Sequence, residues 1–393
     1  MSQDWVFLAL FAVGQAGVLA VSVNVTHALG FRGRIMDWIK VLLLALTLVM
    51  TAVIAREASR KPWSTWPWPA SAYALACLAI ALVGLPATTL ARSFRRQPPG
   101  ISVRDAEIDL AQRNGTEVLI GRGKRAWMLH LPGNEAFRLR KRDWDVVLPS
   151  LPIAWDGLSL LQISDLHFSP AYSRRFFELM LDEAATVEAD LVLFTGDLID
   201  HDAAIEWIVP LLSRIEGRLG SYAILGNHDY DHDHLRTRQA LVEAGFTDLE
   251  GRWTTLAIEG LILALGGTSA PWGPRLDPGL MPDADFRLVL SHSPDLLPKA
   301  ARWGIDLMLS GHNHGGQVRL PVIGPVFMPS LYSRRFDRDF FRTGPTLLHV
   351  SQGVAAKDPI RYGCVPEISR LTLRSACLRQ GSVHEGDLAT ERS

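Results

Sequence analysis

Only five charged side chains, Asp4, Arg32, Arg34, Asp37 and Lys40, occur in the first 55 residues, and the run from Trp5 to Phe31 has none. A bilayer interior offers no water to backbone N–H and C=O groups, so such a run can cross it only as helix, with about 20 apolar residues per span. Three stretches qualify, at about 5–28, 38–55 and 70–90, and they predict a transmembrane bundle over residues 1–96. The second is the shortest, which requires Lys40 to snorkel toward the headgroups beside Trp38. Before the third lies Lys61-Pro62-Trp63-Ser64-Thr65-Trp66-Pro67-Trp68-Pro69. Its prolines oppose a regular helix, and its Trp side chains suit an interfacial belt. A cleaved signal peptide is the competing account of the first run, but signal peptides need a basic leader and the early charge here is Asp4.

Basic residues flank the spans unevenly. Arg32, Arg34, Lys40, Arg92, Arg95, Arg96 and Arg104 fall on one side, against Arg56, Arg60 and Lys61 on the other. The richer side is expected in the cytoplasm, which places the C-terminal bulk there; an even number of spans would reverse this. Over the whole chain 40 Lys and Arg meet 41 Asp and Glu, so no basic surplus points to nucleic acid. The partner expected is the lipid bilayer. Cys77 lies in an apolar run and only Cys364 and Cys377 lie outside it, which suggests neither a disulfide framework nor a thiolate zinc site.

Gln97-Pro98-Pro99-Gly100 cannot continue a helix, and residues 97–154 read as a linker with membrane-proximal strands. Their basic cluster, Arg138, Arg140, Lys141 and Arg142, could face anionic headgroups, although a solvated strand face is the simpler reading. From Leu158 short apolar strands, near 158–163, 191–194, 222–225, 261–265, 286–290, 305–309 and 347–350, alternate with helices near 172–187, 203–215, 233–244 and 295–302. This pattern predicts an α/β sandwich over 155–377. Residues 378–393 are polar, without apolar period, and are expected to be a disordered tail.

Polar clusters follow five of these strands. Ser164-Asp165-Leu166-His167 follows the first, Gly196-Asp197-Leu198-Ile199-Asp200 the second and Gly226-Asn227-His228-Asp229 the third. His292 follows the strand near 290, and Gly311-His312-Asn313-His314 the strand near 309. Ligand sites in open α/β sheets form outside the carboxyl ends of strands. Asp, His and Asn together suit two divalent cations, imidazole favouring borderline transition metals and oxygen ligands harder ions such as Mn²⁺. Residues i and i+2 of an extended chain point the same way, so Asp165 and His167 can bind one ion, and His312 and His314 repeat the spacing. Asp197 follows a glycine that permits close backbone approach, and its two oxygens can bridge two ions. Any one such His is more often a satisfied buried side chain, but five clusters at once would leave many buried polar groups to satisfy. His201, His232 and His234 complete no motif and read as solvent-facing.

Through Asp165-x-His167, Gly196-Asp197, Gly226-Asn227-His228-Asp229, His292 and Gly311-His312-Asn313-His314, the chain resembles the calcineurin-like metallophosphoesterases over roughly 155–375. The run Gly315-Gly316-Gln317, with Pro359-Ile360-Arg361 and Pro366-Glu367-Ile368, is similar to their bacterial membrane-associated branch. The resemblance implies a four-layer α-β-β-α sandwich, preceded here by about three transmembrane helices. It implies Asp165, His167 and His314 on one ion, Asn227, His292 and His312 on the other, and Asp197 bridging, with Mn, Fe or Zn as the pair. His228 matches the histidine near the leaving group and Asp200 the carboxylate that orients it, both catalytic; Asp229 reads as an orienting residue rather than a ligand.

The implied reaction is hydrolysis of a phosphoric ester or pyrophosphate by metal-activated water. Substrate choice lies at the rim, where Trp272-Gly273-Pro274-Arg275 and the segment Tyr332 to Arg342 are candidates; the latter mixes guanidinium groups suited to phosphate with aromatics suited to acyl chains. The expectation is a membrane-anchored hydrolase acting on a phosphorylated, lipid-linked substrate such as a UDP-diacyl sugar. A broad-specificity phosphodiesterase tethered only for localisation, and a non-catalytic membrane scaffold or sensor, are the alternatives.

Overall fold

A computed structural model of the chain describes residues 2–31 and 33–378; the expected tail beyond 378 lies outside the described residues. The chain forms two compact units, residues up to 96 with 319–335, and residues 97–318 with the chain from 336 onward.

In the first unit, three helices are long and apolar enough to cross a membrane: α1 (Ser2–Ala28), α2 (Gly33–Arg60) and α3 (Trp68–Ser93). The second runs past its expected limits of 38–55 at both ends. Apolar length fixes what lipid can cover, whereas Arg, Glu and Ala at the ends are good helix formers and extend the hydrogen-bond ladder. A π turn, Ile80–Gly84, interrupts α3 just before Pro86, which has no N–H for the carbonyl four residues back. Helices α1 and α3 approach so closely at Gly14 that a Cβ there would lie 1.8 Å from the carbonyl oxygen of Cys77. Gln15 joins α1 to α2, donating to the Thr47 carbonyl at 2.6 Å and accepting from the Thr51 hydroxyl at 3.0 Å. The edges of Trp63 and Trp66 meet the ring of Phe7, each 5.9 Å between centroids. Residues 319–335 add a small hairpin, Arg319–Leu320 paired antiparallel with Gly324–Pro325.

The second unit holds two mixed sheets. Strands β1 (Ile101–Asp109), β2 (Arg138–Leu148), β3 (Ser159–Ile163), β4 (Leu191–Thr195), β5 (Ser221–Ile224) and β6 (Phe246–Asp248) belong to the first. The second contains β7 (Arg252–Ile258), β8 (Leu261–Thr268), β9 (Phe286–Ser291), β10 (Leu307–Ser310), β11 (Asp339–Thr343) and β12 (Thr346–Val350). The last strand, β13 (Glu367–Ser375), returns to the first sheet between β2 and β3, giving the orders β1-β2-β13-β3-β4-β5-β6 and β11-β12-β10-β9-β8-β7. Strands β3 to β6 are mutually parallel, as are β8, β9, β10 and β12.

The strands nearest the sheet centres are continuous apolar runs because both their faces are covered. Leu160, Leu193, Ile224, Leu265, Leu290 and Leu309 meet between the sheets. Phe176, Phe177, Met180 and Leu241 pack helices Arg174–Ala185 and His234–Glu243 onto the first sheet, and Leu297 and Ala300 pack helix Leu297–Trp303 onto the second. Each such buried Leu or Phe contributes about 1.5–3 kcal/mol. The result is the expected four-layer α-β-β-α arrangement.

The structure does not set residues 97–154 apart from the sandwich. Strands β1 and β2 hydrogen-bond into the first sheet, β2 running alongside β13 over nine paired residues. The basic cluster is taken up there too. Arg138 and Arg140 pair with Glu107, Lys141 with Glu183, and Arg142 with Asp105, Asp339 and Glu367.

Candidate active site

Five parallel-running strands, β3, β4 and β5 of one sheet and β9 and β10 of the other, deliver the polar clusters at their carboxyl ends. The backbone does this differently from the extended geometry expected. Asp165, His167, Asp197, His312 and His314 all have left-handed φ, between 45° and 68°. This conformation costs a non-glycine residue of order 1–3 kcal/mol and persists where surroundings over-determine it. Here they do: the N–H groups of Asp165 and His167 donate to the carbonyls of Gly196 and Asp197 at 2.9 and 3.0 Å, and Ala355 N–H donates to the Asp165 carbonyl at 2.8 Å. Glycine is required at 226, where a Cβ would sit 2.1 Å from Asp197 Oδ1, and at 311, where it would sit 2.3 Å from Asp165 Oδ2.

Three groups of ligand atoms result, each within 4.8 Å: Asp165, His167, Asp197 and His314; Asp197, His292 and His312; and His167, Asp200 and His228, which the Asp200 carboxylate joins by hydrogen bonds. Asn227 adjoins the second, its Oδ1 lying 3.1 Å from His292 Nε2. All seven residues nominated as ligands are therefore brought together, and Asp197 is common to the first two groups.

The residues present fit divalent cations. The Thr195 carbonyl only accepts, so Nδ1 of His292 carries the hydrogen at 2.8 Å, and the Nε2 lone pair faces Asn227 Oδ1 at 3.1 Å and Asp197 Oδ2 at 3.3 Å. Asp200 Oδ2 accepts from His167 Nδ1 at 3.1 Å, turning His167 Nε2 toward His314 Nε2 at 3.1 Å and Asp197 Oδ2 at 3.5 Å. Acceptors that face acceptors repel unless a proton or cation sits among them. Imidazole nitrogen with carboxylate and amide oxygen is a donor set for first-row divalent ions.

His228 stands beside the first two groups with its side chain about one-fifth exposed. Its Nδ1 donates to Asp200 Oδ1 at 2.6 Å and its backbone N–H to Asp197 Oδ1 at 2.8 Å. Burial lowers the His228 pKa, but Asp197 and Asp200 more than reverse this and lift it to about 9. Burial alone would raise Asp197; the imidazoles of His292, His228 and His167 outweigh it and hold the carboxyl well below the usual range. Asp229 accepts three backbone N–H bonds, from Leu198 and Ile199 at 2.9 Å and from Gly226 at 2.8 Å, and so laces the loop after β4 to the loop after β5. Burial and the charge of Asp197 nevertheless push it up to about 7.

Known proteins identify the family. The calcineurin-like phosphoesterase family matches residues 158–316. The uncharacterized metallophosphoesterase YkuE of Bacillus subtilis is 30% identical over 235 residues, covering 57% of this chain and 82% of YkuE. This chain belongs to the calcineurin-like phosphoesterases. Phosphodiesterase YaeI of Escherichia coli is 31% identical over 226 residues, covering 54% of this chain and 81% of YaeI. The UDP-2,3-diacylglucosamine pyrophosphatase LpxG of Chlamydia trachomatis is 25% identical over 307 residues, covering 62% of this chain and 90% of LpxG. The phosphoesterase is accordingly a metal-dependent hydrolase of phosphoric ester bonds, with a cluster of Asp and His that could hold the metal.

One residue of this phosphoesterase site was legible only as a branch marker. The buried Arg361 donates to the carbonyls of Gln352 at 2.7 Å, Ala355 at 2.6 Å and His314 at 3.2 Å, and its Nη2 lies 3.2 Å from His314 Nδ1. The Cys364 thiol donates to the same His314 carbonyl at 2.8 Å. These contacts hold the loop that presents His314, and nothing in the spacing of Arg361 announced them.

The two rim segments fare differently. Trp272 is buried against His312 and His292, its ring 4.8 Å from the first and 6.0 Å from the second. The segment Tyr332 to Arg342 divides between the two units after Arg335. Phe336, Phe340 and Phe341 are buried in the enzyme core rather than exposed for acyl chains. Arg334 donates to the carbonyls of Ile323 and Pro325 and to the Thr88 hydroxyl, within the helical unit. Outside the site, His201 is exposed, and His232 and His234 are half-buried, His232 lying 3.3 Å from Asp202.

Proposed function

We propose that this phosphoesterase is anchored in a membrane by α1, α2 and α3, holds two divalent cations, and hydrolyses a phosphodiester or pyrophosphate bond of a lipid-linked substrate. The observation that carries the two-ion reading is that Asp197 belongs both to the group with Asp165, His167 and His314 and to the group with His292 and His312. Asp165, His167 and His314 would hold one ion, Asn227, His292 and His312 the other. Bound there, such ions supply Lewis acidity to phosphoryl oxygens and lower the pKa of water, so no covalent nucleophile is needed. The protein's own residues do the rest. Asp200 holds the Nδ1 hydrogen of His228, which leaves the Nε2 hydrogen of the imidazolium to stabilise or protonate a leaving oxygen. Asp229 fixes the loop that carries Asn227 and His228.

A lipid-linked substrate is supported by the length and apolarity of the three helices and by the likeness to LpxG along 90% of that enzyme. Confinement to the bilayer raises the concentration such a substrate presents to a tethered enzyme. The likeness to YaeI favours a phosphodiesterase, and the second reading is one of broad specificity tethered only for localisation. The two are separated by comparing kcat/KM on a diacylated UDP-sugar in mixed micelles with that on the deacylated UDP-sugar. A preference of about tenfold or more for the acylated compound is expected; equal efficiencies would leave the broad-specificity enzyme.

A further inference from the structure

Between Arg319 and Arg334 the chain Leu320 to Ser333 carries no charge and contains three prolines. It is too short and too rich in proline to be a spanning helix, which needs about 20 residues. Its side chains are arranged inside out. Leu320, Val322, Val326, Phe327 and Leu331 are exposed, Val322 at the tip reaching 84%. Part of its polar backbone, by contrast, is satisfied by α1, α3 and Arg334 of its own unit. The buried Asn24 of α1 donates to the Val326 carbonyl at 3.3 Å and accepts from Met328 N–H at 2.9 Å. Arg334 donates to the carbonyls of Ile323 and Pro325 at 3.1 and 3.4 Å and reaches Thr88 of α3 at 2.6 Å, while Arg92 of α3 donates to the Arg334 carbonyl at 2.8 Å.

Such a pattern matches a lipid environment, where irregular backbone is tolerated only if protein groups satisfy its N–H and C=O, while apolar side chains can face outward. In water the same segment would expose five large apolar side chains without recompense. The depth follows from the partners. Asn24 lies four residues before the end of α1 at Ala28, or about 6 Å along the helix, and Thr88 and Arg92 lie in the last turns of α3, which ends at Ser93. That is the boundary between headgroups and acyl chains, where an apolar segment can bury its side chains.

We propose that residues 319–335 are a membrane-interfacial hairpin whose Leu320, Val322, Val326, Phe327 and Leu331 insert into the phospholipid leaflet at the Ala28 and Ser93 end of the bundle. This rests on the membrane-anchored reading above. The hairpin begins five positions after His314, so the loop that supplies this ligand is tied along the chain to the lipid surface.

The test places a fluorophore on single cysteines of the full-length protein. Cys377, the exposed native thiol, is replaced by Ser. Val322→Cys and Phe327→Cys report the hairpin, Leu44→Cys on α2 reports a spanning helix, and Leu235→Cys reports an exposed enzyme surface. All are labelled with nitrobenzoxadiazole and reconstituted in phosphatidylcholine–phosphatidylglycerol vesicles. Expected is quenching of 322 and 327 by lipid spin-labelled near the headgroup, comparable with that of 44 by lipid labelled deep in the chain, and weak quenching by aqueous iodide. If 44 is quenched by lipid while 322 and 327 respond to iodide as 235 does, the hairpin proposal is overturned and anchoring stands. Shielding of 322 and 327 from both quenchers means that a protein partner or second copy covers them, which also overturns it. Lack of lipid quenching at 44 overturns the anchoring reading and the hairpin together.

Discussion

Asp200→Asn is the change that most sharply tests the site, because one carboxylate serves two imidazoles. Oδ1 accepts from His228 Nδ1 at 2.6 Å and Oδ2 from His167 Nδ1 at 3.1 Å, with the side chain almost fully buried. An amide has one accepting oxygen and one donating nitrogen, so it can satisfy only one of the two histidines in its present tautomer. With the nitrogen toward His167, that imidazole must move its hydrogen to Nε2, the atom that faces Asp197 and His314. With the nitrogen toward His228, the imidazolium loses its acceptor. Each lost bond is charge-assisted and contributes about 1.5–3 kcal/mol, which is about 10- to 10²-fold in affinity or rate. The pH dependence follows from the same contact. Burial lowers His228 and the two carboxylates raise it to about 9, so the acid form is present at neutral pH and is lost as pH rises through that value. Cations shared with Asp197 would offset that carboxylate, leaving Asp200 to hold the proton. Hydrolysis of bis(p-nitrophenyl) phosphate by Asp200→Asn, measured from pH 5 to 10, should therefore fall by about 10- to 10²-fold near neutrality, with the alkaline limb displaced to lower pH by about one unit or more. Elemental analysis separates the two routes: a missing metal equivalent assigns the loss to His167, and full occupancy assigns it to His228. His228→Asn should match the second case, and Asp200→Glu should recover part of the activity. Wild-type rates at every pH with full metal content would refute the role of Asp200.

Two further outcomes are expected. Asp197→Asn should reduce both metal equivalents together and lower activity by more than the ~10²-fold typical of an outer partner; elemental analysis showing one equivalent intact would remove the bridging assignment. A C-terminal fusion should fluoresce as a green fluorescent protein hybrid and be inactive as an alkaline phosphatase hybrid, as the seven-to-three count of flanking basic residues predicts; the opposite pair of results would place the enzyme unit outside the cytoplasm.

Legibility in the sequence tracked how far each signal was local. The strands that carry the site, β3, β4, β5, β9 and β10, are buried on both faces and appear as short apolar runs ending in Gly, Asp, His and Asn. Strands β7 and β13 escaped notice because they interleave polar residues: β7 is partly exposed, and in β13 Arg370, Thr372 and Arg374 alternate with buried Ile368, Leu371 and Leu373. The pairing of β13 with both β2 and β3 was equally hidden, since it joins residues about two hundred positions apart. It is this pairing that draws residues 97–154 into the sandwich. Within the site, residue types were readable and backbone was not. The i, i+2 spacing of Asp165 with His167 invites an extended reading, whereas both residues are left-handed and depend on carbonyls of the neighbouring loop.

The segment from Tyr332 to Arg342 shows why composition alone misplaces a substrate rim. Arginines beside aromatics are what a phosphorylated amphiphile would require, and the same residues serve two other ends here. Phe336, Phe340 and Phe341 need burial, which the second sheet supplies. Arg334 brings donors to the carbonyls of Ile323 and Pro325 in the hairpin. Buried demand for donors and for apolar contact was thus met from the very side chains that sequence assigned to the ligand. What remains close to His292 and His312 is Trp272, a large flat ring with its edge or face toward them. A rim residue is better sought by asking which side chains are left after the fold's own donors, acceptors and apolar surfaces have been paired.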